Sequence, residues 1–214
     1  MKKVILSLTL ALAVFATANA QNEKYTKAME DAIAKAKYTV STPELQQTAG
    51  QFERIGSAET AEWLPAYWAA YTNALLSLKE TDKNKKDALL DKADGFYKKI
   101  AGQQADNDEL LVLAAALASS RLAVDPENRW QEYGPIFQTN LDKAKQKNPE
   151  NPRIYLLQGQ SLFYTPEQYG GGKAAACPVL KQAAEKFAKF KPASTIHPNW
   201  GTDTDQYLLS QCGQ

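Results

Sequence analysis

The stretch Gly170-Gly171-Gly172-Lys173 stands immediately before a helical pattern, and glycine-rich turns at helix starts can offer backbone N–H groups to a phosphate or a carboxylate. It is not a P-loop, because that pattern closes on Lys and then Ser or Thr after a strand, whereas Ala174 follows here and no strand pattern precedes. The simpler reading is a tight interhelical turn whose glycines permit positive φ and close backbone approach. Tyr164, Tyr169 and Lys173 flank the turn and are candidates to line a ligand groove beside Gly170, Gly171 and Gly172. A second constellation is His197, Cys177 and Asp203 or Asp205, which supplies the residue types of a base, a nucleophile and an orienting acid. A lone histidine between prolines in IHPNWG reads more simply as a turn residue, so a cysteine-dependent hydrolase is the weaker alternative. One histidine and two spaced cysteines form no metal-ligand cluster. Asp106-Asn107-Asp108-Glu109 lacks the glycine and terminal glutamate of a calcium loop, so neither a metal nor a cofactor is implied.

Aromatic residues concentrate in one segment, with Trp63, Tyr67 and Tyr71 forming a row at helical spacing and Trp68 pointing partly elsewhere. Such a stripe is usually core, but these rings exceed what one face needs. Trp68 is therefore a candidate to face a groove, where aromatic side chains carry much of the energy of many interfaces.

The elements that must position these residues are helices. Apolar residues recur at helical spacing along almost the whole chain, and runs of alternating polar and β-branched residues are absent, which predicts an all-α fold. A first helix covers KYTKAMEDAIAKAKY, with Met29, Ile33 and Ala36 on one face. A second opens at Ser41-Thr42-Pro43 and passes Phe52 to Ile55. Helices follow at Trp63 to Leu78 and Ala88 to Ile100. Leu110 to Val124 is apolar nearly all round, which predicts a helix at the centre of the core. After a DPENRWQEYG connection come helices at Pro135 to Lys147, Ile154 to Tyr164 and Ala174 to Phe190.

The N-terminus carries Lys2 and Lys3, an apolar run from Val4 to Phe15 and then Ala18-Asn19-Ala20, which is the layout of a secretory signal peptide cleaved after Ala20. The run falls short of the roughly 20 residues that a membrane anchor needs, so no membrane insertion is expected after cleavage. Residues 1–20 are thus assigned to the signal and 21–214 to one helical domain. An exported protein follows, periplasmic in the first instance, with the space beyond the cell as the alternative. Cleavage removes two of the 25 basic residues and none of the 24 acidic ones, moving the net charge from +1 to about −1. That charge argues against nucleic acid as a partner. In an oxidising compartment Cys177 and Cys212 are expected to pair.

Leu110, Leu113, Ala114 and Leu117 follow the large, large, small, large spacing of the first helix of a tetratricopeptide repeat. Tyr155, Gly159 and Leu162 fit with Gln158 as a departure, and Trp68, Tyr71, Thr72 and Leu75 fit loosely. Ala93 with Tyr97, Ala183 with Phe187, and Leu141, Ala144 and Pro149 supply partial second-helix signatures. Each unit carries roughly ten residues beyond the family's 34-residue period. The chain therefore resembles a degenerate tetratricopeptide-repeat protein, and FERIGSAETAEWLPAYWAAY and LFYTPEQYGGGK resemble segments of exported bacterial repeat proteins. The resemblance implies antiparallel helix pairs stacked as an α-solenoid. It also implies a non-catalytic scaffold that binds a protein or peptide partner. Small-molecule or glycan capture at the Gly170–Lys173 loop is the alternative.

Overall fold

The computed structural model describes residues 22–102 and 107–213. The expected signal segment and its cleavage point lie outside these residues. Among them there is no strand, and the order is α1 (22–33), α2 (Thr42–Ala58), α3 (Leu64–Lys79), α4 (Lys83–Ala101), α5 (Asp108–Val124), α6 (Pro126–Lys147), α7 (Pro152–Tyr164), a 3-10 turn (Glu167–Tyr169), α8 (Lys173–Phe187) and α9 (Thr202–Ser210). The all-α expectation holds.

Local signals explain most of the boundaries. Prolines occupy the first turns of α2, α3, α6 and α7, where the missing N–H costs nothing. Asp82, Asn107 and Asn151 cap α4, α5 and α7 by accepting backbone N–H groups of Lys85, Glu109 and Arg153. Met29, Ile33 and Ala36 are all buried, as their spacing predicts, although α1 ends at residue 33 and Ala36 sits in the turn that follows.

The sequence reading also starts α4 five residues late at Ala88 and runs the first and eighth helices several residues too far, and two differences are larger. The connection before Pro135 is itself helical, because Pro126 starts α6 and Pro135 is carried inside it. Proline breaks a helix by removing one hydrogen bond and crowding the preceding turn. Pro135 follows Gly134, which has no Cβ to meet the proline Cδ, so part of that crowding is absent. The second difference is α9, which the periodicity did not announce. It is short and carries only Asp205 and Leu208 as buried positions.

Neighbouring helices pack in pairs, α3 on α4, α5 on α6 and α7 on α8, and α3, α5 and α7 pack in turn on one another. Gly159 marks how closely one pair crosses, since a Cβ there would stand 2.6 Å from Leu180 Cδ2. One part of the core joins Met29, Phe52, Tyr67, Trp68, Leu90 and Leu113, and another joins Val112, Phe137, Leu141, Ile154, Leu156, Leu180 and Leu208. Helix α5 supplies residues to both, which is the central position its all-round apolar pattern predicts. The second pair is locked to the first by Arg121, whose guanidinium meets Asp91 and Asp94 at 2.6 Å and Asp87 at 3.1 Å, with Arg129 also on Asp87.

The turns inside the pairs share one rim. Lys79 at the end of α3 donates to the Tyr38 carbonyl in the α1–α2 turn, and Lys83 at the start of α4 pairs at 3.0 Å with Asp125 in the α5–α6 turn. The opposite rim is closed by Asn148 and Asn151, which both donate to Asp108, and by the pair Arg153 and Glu109.

Candidate functional site

Residues 188–201, between α8 and α9, run back over the inner helices as a strap. The Trp68 indole N–H donates to the Ile196 carbonyl at 2.9 Å, and the Trp200 indole N–H donates to the Tyr67 hydroxyl at 2.9 Å. Trp200 stacks on Tyr71 with ring centres 4.7 Å apart, and the Trp200 carbonyl accepts from Arg153 at 3.4 Å. Phe190 lies against the same guanidinium, 4.5 Å from its ring centre. Burial drives the Tyr67 and Tyr71 phenols well above their ordinary range, with Glu109 pushing Tyr67 the same way. The aromatic row of α3 is therefore an anchor for the strap. Trp68 is only 1% exposed and also stacks against Phe52, so the expectation that it faces a ligand groove is corrected. Its indole N–H finds an acceptor that only the strap can supply, which is the condition for burying tryptophan at low cost.

The Gly170–Lys173 turn is also self-satisfied. The Gly170, Gly171 and Gly172 N–H groups donate to the carbonyls of Glu167, Pro166 and Leu162. None of the three is left to cradle an anion. Gly170 and Gly172 take positive φ of 82° and 90°, and a Cβ on Gly171 would stand 2.1 Å from the Thr165 carbonyl oxygen. Glycine is required by this turn's own geometry.

The hydrolase constellation does not assemble. Cys177 is disulfide-bonded to Cys212, as the export reading predicts, and has no thiolate to offer. His197 Nδ1 is 2.7 Å from Ser194 Oγ, its ring packs edge-on against Trp63, and burial lowers its pKa. Asp203 pairs with Lys37 at 3.9 Å, and Asp205 is buried with Oδ1 unpartnered.

What the fold leaves open is a set of tyrosines at the rim of the paired turns. Tyr164, the last residue of α7, is 65% exposed, Tyr38 in the α1–α2 turn 53% and Tyr207 on α9 61%. The Lys37–Asp203 pair brings the Tyr38 turn to the start of α9, and Tyr207 lies one helical turn beyond Asp203 on the same face. The disulfide holds the far end of α9 against the first turns of α8, beside the α7–α8 turn. Burial raises the Tyr164 phenol above its ordinary pKa, and Tyr207 and Tyr38 are near enough to push it further. Lys79 Nζ sits 4.4 Å from the Tyr38 ring centre. Lys173 begins α8 across the turn from Tyr164 and makes no ion pair among the described residues. Tyr169 is exposed in the same turn. Sequence reasoning found Tyr164, Tyr169 and Lys173 through the glycine turn. It missed Tyr38 and Tyr207, which carry no local motif and are brought toward Tyr164 by the folding back of α9 and the Lys37–Asp203 pair.

Paired helices closed by an internal strap, with an exposed aromatic rim, define the all-helical class of this chain. Comparison with known family descriptions finds no match, and neither does comparison with curated proteins. Among solved structures, the HusA haemophore from Porphyromonas gingivalis superimposes with a TM-score of 0.75 at 34% sequence identity, over 88% of this chain and 92% of that one. The chain belongs to the family of that haemophore.

Proposed function

We propose that this protein is an exported carrier that captures haem, or a closely related planar porphyrin, without chemical change to its cargo. The observation that carries the reading is membership of a family whose solved relative is a haemophore, at an identity and coverage that extend over nearly the whole fold. Two features of the chain support it. The Cys177–Cys212 disulfide suits an oxidising compartment outside the cytoplasm, and among the described residues no helix is long and apolar enough to cross a membrane. The occupation of Cys177 also removes the nucleophile on which a hydrolase would depend.

The strap weighs against a peptide in the inner groove, because Trp68 and Tyr71, the aromatic anchors such a ligand would use, are already engaged by Ile196 and Trp200. The tetratricopeptide-like character of the pairs is part of the same reading. Its support is the close crossing at Gly159, the position where that repeat places a small residue.

The test is a titration of the oxidised protein with haemin, followed by the Soret band. Saturable binding with a shifted Soret maximum is expected. A spectrum that remains the sum of its components at micromolar protein overturns the proposal.

A further inference from the structure

Tyr38, Tyr164 and Tyr207 are exposed rings that three separate elements, the α1–α2 turn, the end of α7 and α9, bring near one another, with the Lys37–Asp203 pair joining the first to the last. Single exposed rings are ordinary, whereas rings clustered from several elements mark binding sites. Trp130 and Ile136 on α6 are also exposed, but they belong to one helix. The tyrosine rim differs in its charges. Lys79 stands at Tyr38, and Lys173 stands across the α7–α8 turn from Tyr164.

We propose that this rim is the cargo site, where a planar aromatic macrocycle lies against the rings of Tyr38, Tyr164 and Tyr207 while Lys79 and Lys173 meet its carboxylates. The inference rests on the haem-carrier reading above and adds to it the place and the mode of binding. Flat π-systems gain from offset or edge-on contact with aromatic rings, and tyrosine supplies that surface while keeping its hydroxyl in water. A dicarboxylate ligand needs cations at its margin, and the flexible lysine stems can follow it. The rings carry binding in this arrangement, so the phenol oxygens are dispensable. The arrangement also gives α9 a task, since it brings Tyr207 to the rim and the Cys177–Cys212 bond fixes its far end.

The experiment compares the oxidised wild type with three variants, using haemin as probe and thermal melting to verify folding. They are Tyr38→Ala/Tyr164→Ala/Tyr207→Ala, the same three positions changed to Phe, and Trp130→Ala as an exposed aromatic elsewhere. Loss of affinity by about tenfold or more in the alanine variant, with Phe and Trp130→Ala within about threefold of wild type, is expected. A folded alanine variant that binds like wild type overturns the placement while the carrier reading stands. A phenylalanine variant as weak as the alanine one overturns ring contact as the mode. Absence of binding by the wild type removes the carrier reading and this inference together. The side chains are exposed, so the variants should fold; if the alanine triple does not, Lys79→Ala/Lys173→Ala decides, with weaker haemin binding supporting the site and unchanged binding overturning it.

Discussion

Arg153 on α7 donates through Nε and Nη2 to both oxygens of the Glu109 carboxylate on α5, with the Arg153 side chain fully buried and that of Glu109 13% exposed. Burial raises the Glu109 pKa, and Arg153 opposes that shift. The same guanidinium packs against Phe190 and Trp200, so one cation joins two helices and the strap. A buried pair of this kind is dangerous to half-remove, because the surviving charge has no solvent. Arg153→Met should destabilise the fold by about 3–5 kcal/mol in urea unfolding. Arg153→Met combined with Glu109→Leu should recover much of that loss, whereas a double variant as unstable as the single would show that the strap contacts, and not the charge, dominate.

Asp205 is buried on α9 with one carboxylate oxygen unpartnered, and burial raises its pKa to about 6. The folded protein thus prefers the protonated acid more than the unfolded chain does. Its contribution to stability is most favourable below the unfolded pKa and is lost as pH rises through about 6. Asp205→Asn should raise stability at pH 7.5 by about 1–3 kcal/mol and flatten the change between pH 5 and 7, seen in melting temperature against pH.

The Cys177–Cys212 bond closes a loop of sequence separation 35. On the loop-entropy account, such a crosslink stabilises by roughly 3–4 kcal/mol. Cys177→Ser/Cys212→Ser should therefore melt well below wild type, and wild type with a phosphine reductant should move toward the variant. An unchanged melting point would mean that α9 is held by packing alone.

At Gly171 an added Cβ would meet the Thr165 carbonyl at 2.1 Å, and a backbone atom cannot swing aside as a side-chain tip can. Gly171→Ala should cost about 1–3 kcal/mol in denaturant unfolding. Gly95→Ala, at a helical position where the added carbon meets nothing, should be neutral or stabilising.

Periodic features were readable from residue types alone. Met29, Ile33 and Ala36 declared a buried face, Leu110 to Val124 declared a central helix, and two cysteines after a signal-like N-terminus declared a bond. What could not be read depends on contacts between distant residues. Trp68 looks available for a groove because it stands off the row of Trp63, Tyr67 and Tyr71; its indole N–H is taken up by Ile196, 128 residues later. Helix α9 was silent because nine residues with two buried positions produce too little periodicity. The candidate site was half visible for the same reason, since Tyr164 and Lys173 flank a conspicuous glycine turn, whereas Tyr38 and Tyr207 come near Tyr164 only after the fold closes on itself.

A stack of helix pairs in which each unit touches only its neighbours can assemble piece by piece and come apart piece by piece. The strap forbids that here. By joining Ile196 to Trp68 and Trp200 to Tyr67, it stitches the last elements onto the third helix across separations of 128 and 133 residues. Contacts this remote in sequence slow the search for the native state and bind its parts into a single cooperative event. The strap contacts to Tyr67, Trp68 and Tyr71 cannot form until residues 196–200 are in place, so the inner aromatic row is completed by the part of the chain most remote from it.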